Sequence, residues 1–329
     1  MVRMGEFELL ARIRERLPAN GPRIHLGSGD DAAVSVPGGA TATSVDALVD
    51  GVHFRRQLAS PAQIGHKALA TALSDLAAMG AEAGEAYVVL GVPPDFSEEE
   101  CIEMLDGMAA LASATGTALA GGDLSRATEL FLAITVVGHS SEPQAFVDRG
   151  GAQPGDLLVL TGELGGAAAG LVLLDDPGLE ASLSAAAAAG LRARQLAPAP
   201  RLDAGRALAA SGATAMIDLS DGLGADAGHI ARSSGVKLQI EAEAVPLAAA
   251  GKALSAATGG DPWSLLNGGE DYELLASIPR ARLEEATSAV EENGTTALTQ
   301  VGEVLSGSGV EIRLPGGRLL EPGGFDQLA

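Results

Sequence analysis

Carboxylates gather beside small residues and glycines at six places in this chain: "LGSGDDAAV" (26–34), "SVDALVDGVHF" (44–54), "ALSDLAAMGA" (72–81), "ALAGGDLSR" (118–126), "AMIDLSDGL" (215–223) and "LNGGEDYEL" (266–274). Each reads as an acidic turn closing an apolar run. A single such turn is a helix cap or a surface loop, because Asp accepts hydrogen bonds from nearby backbone N–H groups. Six together point to a shared use. Adjacent carboxylates repel one another unless cations lie between them. Their oxygens suit Mg2+, which takes near-octahedral oxygen ligation at about 2.0–2.1 Å and keeps several waters. Phosphoryl-transfer enzymes use such acidic, Mg2+-gathering pockets to hold polyphosphates, the metal bridging anions that otherwise repel. The cationic side chains this chemistry needs are few. Arg149 in "VDRGG" is a candidate phosphate contact, and His53 in "DGVHF" stands between an acidic turn and an aromatic residue.

Two nucleotide motifs are excluded. Gly27-Ser28-Gly29-Asp30-Asp31-Ala32 fits G-x-G-x-x-A, but a dinucleotide loop offers bare N–H groups to a pyrophosphate, and two carboxylates crowd that place here. The Gly251-Lys252 pair lacks the partner glycine and the Ser/Thr of a phosphate-binding loop. No EF-hand spacing occurs in "DALVDG" or "DLSDGL".

These turns need elements to carry them. Phe7, Leu10, Ile13 and Leu17 lie three or four apart, on one helix face. "RIHLGSGDDAAVSV" and "ATATSVDAL" read as short strands around the turn signal "PGG", "SPAQIGHKALATALSDLAAMGA" as a helix and "EAYVVLGVP" as a strand. "SEEECIEMLDGMAALASATG" opens with a serine cap and glutamates, a helix start, and "LFLAITVVGHS" is a further strand. The Pro, Gly and Ser of 140–156 mark a boundary, giving domains at 1–145 and 146–329. Beyond it come the strand "LLVLTG", the helical "GGAAAGLVLL", an alanine-rich helical region, "AMIDLSDGL", the helix "GADAGHIARSSG", the strand "VKLQIEA" and a strand–helix–strand finish. "LSDLAAMGA" and "LSDGLGADA" echo one another weakly across the two halves.

At 329 residues the chain exceeds one ordinary core, and 47% hydrophobic content makes it globular. With 21 Lys+Arg against 43 Asp+Glu the net charge is −22, which argues against nucleic acid and anionic membranes as partners. The single cysteine, Cys101, excludes an internal disulfide. The charged, amphipathic N-terminus does not read as a signal peptide, and the alanine-rich 181–191 is too short and too weakly apolar to span a bilayer. The expectation is a soluble, cytoplasmic protein.

The ordered set "GSGDDAAV", "S.DALVDGVHF", "KALA..LSDLAAMGA", "GGDLSR", "RGGAQPGD", "IDLSDGL" and "GGEDYEL" resembles the thiamine-monophosphate kinase family, within the ATP-binding superfamily of aminoimidazole ribonucleotide synthetase, from Gly5 to about Phe325. The resemblance implies an α+β fold of two domains. The first, ferredoxin-like, would bind ATP and Mg2+ and form a dimer barrel; the second, a C-terminal α/β layered domain, would complete an active-site cleft. The implied reaction is direct, in-line transfer from ATP to thiamine monophosphate, the last step in making thiamine diphosphate, with several Mg2+ ions in a homodimer.

Carried onto this chain, Asp31, Ser44, Asp46, Asp75, Asp123, Asp218 and Asp221 would be metal ligands, with Asp30 left open. Gly122, Asp123, Arg149 and Ser220 would meet ATP, and His53, Glu270 and Phe325 the thiamine substrate. Val45 stands where the family usually has threonine, leaving only a backbone carbonyl, and "GFDQL" departs from the family's usual aromatic-Asp-His-Phe ending. No catalytic base is implied, since a phosphate oxygen is already anionic near neutral pH. The rival expectations are a superfamily cousin acting with ATP on another small molecule, and a non-catalytic Mg-nucleotide-binding dimer.

Overall fold

A computed structural model describes residues 9, 11–13, 15, 21–27, 32–294 and 296–324. Of the expected N-terminal helix face, Ile13 alone falls among them. The chain divides into two compact units, Met1–Leu76 with Ala81–Pro143, and Ala77–Gly80 with Gln144–Ala329.

In the first unit β1 (Ile24–Leu26) and β2 (Val34–Ser35) form an antiparallel ribbon. Then follow β3 (Ala40–Val49), α1 (Pro61–Ala78), β4 (Glu82–Val92), α2 (Glu98–Thr115), β5 (Ala118–Arg126) and β6 (Phe131–Ser140). Both helices start at capping boxes, in which a serine hydroxyl and a side chain three residues on satisfy two orphan N–H groups reciprocally. At α1 the Ser60 N–H donates to Gln63 Oε1 at 2.9 Å and the Gln63 N–H to Ser60 Oγ at 3.3 Å. At α2 Ser97 and Glu100 do the same, and Gly116 ends the helix in the left-handed region.

The four long strands lie in the order β3-β6-β4-β5, with β4 and β5 parallel and β6 antiparallel to both its neighbours. The chain order β-α-β-α-β-β corrects the ferredoxin-like expectation, which requires β-α-β-β-α-β. The reason is local: β5 and β6 join as a short hairpin, while β4 reaches β5 through α2 as a parallel crossover. One sheet face buries Leu48, Ala86, Leu90, Leu132, Ile134 and Val136. The other leaves Val45 64% and Val89 37% exposed.

In the second unit the chain runs β7 (Leu157–Thr161), α3 (Gly166–Asp175), α4 (Ala185–Leu196), α5 (Leu202–Ala210), β8 (Ala215–Asp218), α6 (Leu223–Ser234) and β9 (Lys237–Glu241). It continues through α7 (Ala249–Ala257), β10 (Leu274–Ile278), α8 (Leu283–Asn293), β11 (Leu298–Leu305), β12 (Gly309–Arg313) and β13 (Leu319–Leu320). The sheet order is β13-β12-β9-β11-β7-β10-β8, antiparallel except for β9 with β12. β7, β8 and β10 are buried at every residue, as continuous apolar runs are when both sheet faces are covered. Leu158, Leu160, Ile217, Leu223, Ile230 and Ile240 share one core, while Leu173 of α3, Leu191 of α4 and Leu254 of α7 form a second.

Candidate functional site

Three expected ligands converge in the first unit. Strand alternation puts Ser44 and Asp46 of β3 on one face and the exposed Val45 on the other. Asp75, from α1, accepts a hydrogen bond from the Ser44 hydroxyl. Burial pushes the Asp46 carboxyl up to about 6, and the negative charge of Asp75 adds to that shift. Two mutually repelling carboxylates and a hydroxyl are an oxygen-only donor set of the kind Mg2+ takes. Among the described residues no group of three or more His, Cys, Asp or Glu side chains is arranged to hold a metal ion, and Asp30 and Asp31 lie outside those residues.

A carboxyl with a raised folded-state pKa contributes stability below its unfolded value near 3.8 and loses it as pH rises through about 6. Asp46→Asn is therefore expected to raise the melting temperature of the metal-free protein at pH 8 and to lose that advantage progressively as pH falls from about 6 toward 3.8. Melting curves across that range check it.

Asp50 does not join this set. Its carboxylate holds Arg56, from Nε at 2.7 Å and from the backbone N–H at 3.1 Å, and so shapes the 50–56 loop. Within that loop His53 Nδ1 accepts the Val49 N–H at 3.1 Å. The ring proton of neutral His53 therefore sits on Nε2, which is left to donate.

Gly122 and Asp123 correct the reading of "ALAGGDLSR" as a turn, because they lie inside β5. Paired residues run Asp46–Ile134–Val88–Gly122 across the sheet, from one edge strand to the other. Three strand spacings separate Asp46 from Gly122, about 14 Å. Asp123, paired with the outward-facing Val89, is therefore not brought to Ser44, Asp46 and Asp75 within one chain.

In the second unit the two acidic motifs are joined. β8 pairs with β10 from Ala215↔Ser277 to Asp218↔Leu274, and the pairing runs on past both strand ends. The Leu219 N–H donates to Glu273 O at 2.8 Å, the Tyr272 N–H to Leu219 O at 3.0 Å and the Glu270 N–H to Ser220 O at 2.8 Å. Gly269 permits this approach, since a Cβ there would lie 2.2 Å from Ser220 O. Glu270 and Tyr272 take positive φ, 69° and 50°, a strained backbone that is held by these bonds. Asp218, Ser220, Asp221 and Glu270 thus share one corner. Burial raises the Asp221 carboxyl above its ordinary range, opposed by His229 nearby.

The three acids of "GGEDYEL" have separate jobs. Asp271, 7% exposed, accepts the Gly165 N–H at 2.6 Å and the Ala167 N–H at 3.0 Å, capping α3. Glu273, fully buried, takes Arg201 Nε at 2.7 Å, Arg201 Nη2 at 2.5 Å, Arg194 Nη2 at 3.2 Å and the Thr161 hydroxyl at 2.8 Å. Glu270, half-buried, accepts from the Gln195 amide.

Arg149 is exposed, in a loop pinned by the Ser234 hydroxyl, which donates to Arg149 O at 3.1 Å. Sequence reasoning missed its neighbours. His229, about two turns along α6 from the "DLSDG" corner, is held below its ordinary pKa by burial and by Arg232 and Arg149. The i, i+3 spacing of His229 and Arg232 directly after that motif was the available signal. Phe325 lies outside the described residues.

The chain is similar to characterised families along most of its length. Residues 29–140 match the AIR synthase related protein N-terminal domain, and residues 153–315 the corresponding C-terminal domain. A thiamine-monophosphate kinase of Mycobacterium tuberculosis is 41% identical over 257 residues, 77% of this chain and 73% of its own. The crystal structure of thiamine-monophosphate kinase from Stenotrophomonas maltophilia K279a has TM-score 0.82 and 34% identity, covering 96% of this chain and 98% of that one. AaThiL complexed with AMPPCP and TMP has TM-score 0.76 and 30% identity over 98% of each chain. With its two matched domains and these identities, the chain belongs to the thiamine-monophosphate kinase family.

Proposed function

We propose that this protein transfers the γ-phosphoryl group of ATP to thiamine monophosphate, giving ADP and thiamine diphosphate, by direct in-line attack in the cytoplasm, where ATP is available. The observation that carries this reading is the joined corner of "DLSDG" and "GGEDYEL", in a chain of this family. Ser44, Asp46 and Asp75, with Asp31, hold Mg2+ in the first unit, and Asp218 and Asp221 hold it in the second. Bound Mg2+ supplies charge neutralisation to the polyphosphate. Ser220, Gly122 and Asp123 meet the nucleotide phosphates, and Arg149 supplies positive charge to them. His53 donates from Nε2 to the substrate, Glu270 faces the cationic thiazolium ring, and Phe325 stacks on an aromatic ring of the thiamine moiety.

The attacking phosphate oxygen is anionic and needs no base. The buried His139–Glu85 pair, at 2.7 Å, lies outside every motif and takes no part. A homodimer through the exposed part of the four-stranded sheet would bury Val45 and Val89, and Asp123, paired with Val89, would then lie at the interface.

The test is ADP release by purified protein with ATP, with Mg2+ or thiamine monophosphate omitted in turn. Release that needs all three, with thiamine diphosphate identified by mass, is expected. Release that is indifferent to thiamine monophosphate overturns the reading in favour of a cousin's substrate. Glu270→Gln removes a charge facing a cationic ring. It is expected to raise KM for thiamine monophosphate about tenfold, the equivalent of 1.4 kcal/mol, with KM for ATP and the melting temperature unchanged. Steady-state kinetics with each substrate varied check it.

A further inference from the structure

Asp226 stands in the first turn of α6 with 2% of its surface exposed. A carboxylate so buried is costly unless polar groups replace its water. Backbone amides do so here. Asp226 Oδ2 accepts the Asp221 N–H at 3.0 Å and the Gly222 N–H at 3.1 Å, and the Ser220 N–H also points to this carboxylate.

The ordinary way to satisfy such amides is a Ser, Thr, Asp or Asn at the helix cap. That way is closed. The cap is Gly222, at φ 117°, where a Cβ would lie 2.8 Å from Asn267 O. A capping box is closed as well, since the third helical residue is Ala225. Asp226 therefore caps from inside its own helix, reaching back onto the turn that carries Ser220 and Asp221. Asp271 also accepts the orphan amides of a glycine-capped helix, at the start of α3, but from a distant segment; at α6 the cap is internal, and the turn it holds is the candidate nucleotide turn.

We propose that Asp226 is a positioning residue for nucleotide binding: by gathering the N–H groups of Asp221 and Gly222 it fixes the turn that aims the Ser220 hydroxyl and the Asp221 carboxylate at Mg·ATP. This rests on the assignment of Ser220 and Asp221 to the nucleotide made above. The Asp221 and Gly222 bonds both fall on one oxygen, so the amide oxygen of asparagine can take its place. Serine is too short to reach.

The test is calorimetric binding of Mg·AMPPCP and, separately, of thiamine monophosphate to the wild type, Asp226→Asn and Asp226→Ser. Asp226→Asn is expected to bind Mg·AMPPCP within about threefold of wild type and Asp226→Ser about tenfold or more weakly, with thiamine monophosphate affinity unchanged in both. A folded Asp226→Ser that binds Mg·AMPPCP like wild type overturns the proposal. So does equal weakening for both ligands, which marks a general structural role. If Asp226→Ser does not fold, amide exchange in the wild type decides. Asp221 and Gly222 amides protected before any ligand is added support the proposal, and amides that exchange freely until Mg·AMPPCP binds overturn it. A wild type that does not bind Mg·AMPPCP overturns the nucleotide assignment itself, and the proposal with it.

Discussion

Asp75→Asn is expected to lower kcat by at least about a hundredfold, the scale on which removing one preorganised electrostatic group acts, while leaving the fold intact. Asparagine keeps an acceptor for the Ser44 hydroxyl and removes the charge that repels Asp46. The metal-free variant should therefore melt at or above the wild-type temperature, and the Asp46 carboxyl should titrate at a lower pH, kept up by burial alone. Loss of turnover with retained stability separates a functional carboxylate from a structural one. A variant with near-normal turnover would remove Asp75 from the metal set. Single-turnover kinetics across a Mg2+ titration, beside melting curves without Mg2+, supply both readouts.

Glu273 makes the opposite case. It is expected that Glu273→Ala destabilises the second unit by about 3–5 kcal/mol, the usual consequence of breaking a buried ion pair from one side. The change strands Arg201 and frees the Thr161 hydroxyl, both of which close on Glu273. Denaturant unfolding followed by the fluorescence of Trp263, which lies in the second unit, measures it. Glu270→Gln, three residues away, should show none of this loss. The two glutamates of "GGEDYEL" are alike on paper, and the contrast between them tests whether the motif is divided between scaffold and site.

That division marks the limit of what the sequence could show. Local signals were legible: the Ser97/Glu100 capping box, Gly116 after the helix, and the turn in "DLSDGL" all depend on neighbours within a few residues. The partners of Asp271 lie 104 and 106 residues away and those of Glu273 between 72 and 112, so no window of sequence sorts them from Glu270. "GGD" misled for a different reason. Paired glycines ordinarily punctuate a turn, but here the β4 backbone passes so close that a Cβ on Gly122 would lie 2.1 Å from Val88 O, and the strand runs straight through. Asp226 is a first-turn acid within "GADAGHIARSSG", and nothing in the sequence marks it as the cap of the preceding turn, because the lack of room for a cap at Gly222 is set by Asn267, 45 residues on.

The candidate site was legible as chemistry before it was legible as geometry. Acidic residue types pointed to Mg2+ and polyphosphate. Which acids stand together was decided by strand register, with Asp46 on one edge of a four-stranded sheet and Gly122 on the other.

The most direct measurement follows the phosphoryl group itself. The protein is incubated with ATP carrying 18O in its γ-phosphoryl group, together with Mg2+ and thiamine monophosphate, and the thiamine product is weighed by mass spectrometry. Direct transfer predicts thiamine diphosphate with the label in its terminal phosphate. Label recovered in inorganic phosphate, with thiamine monophosphate unchanged, would contradict the account.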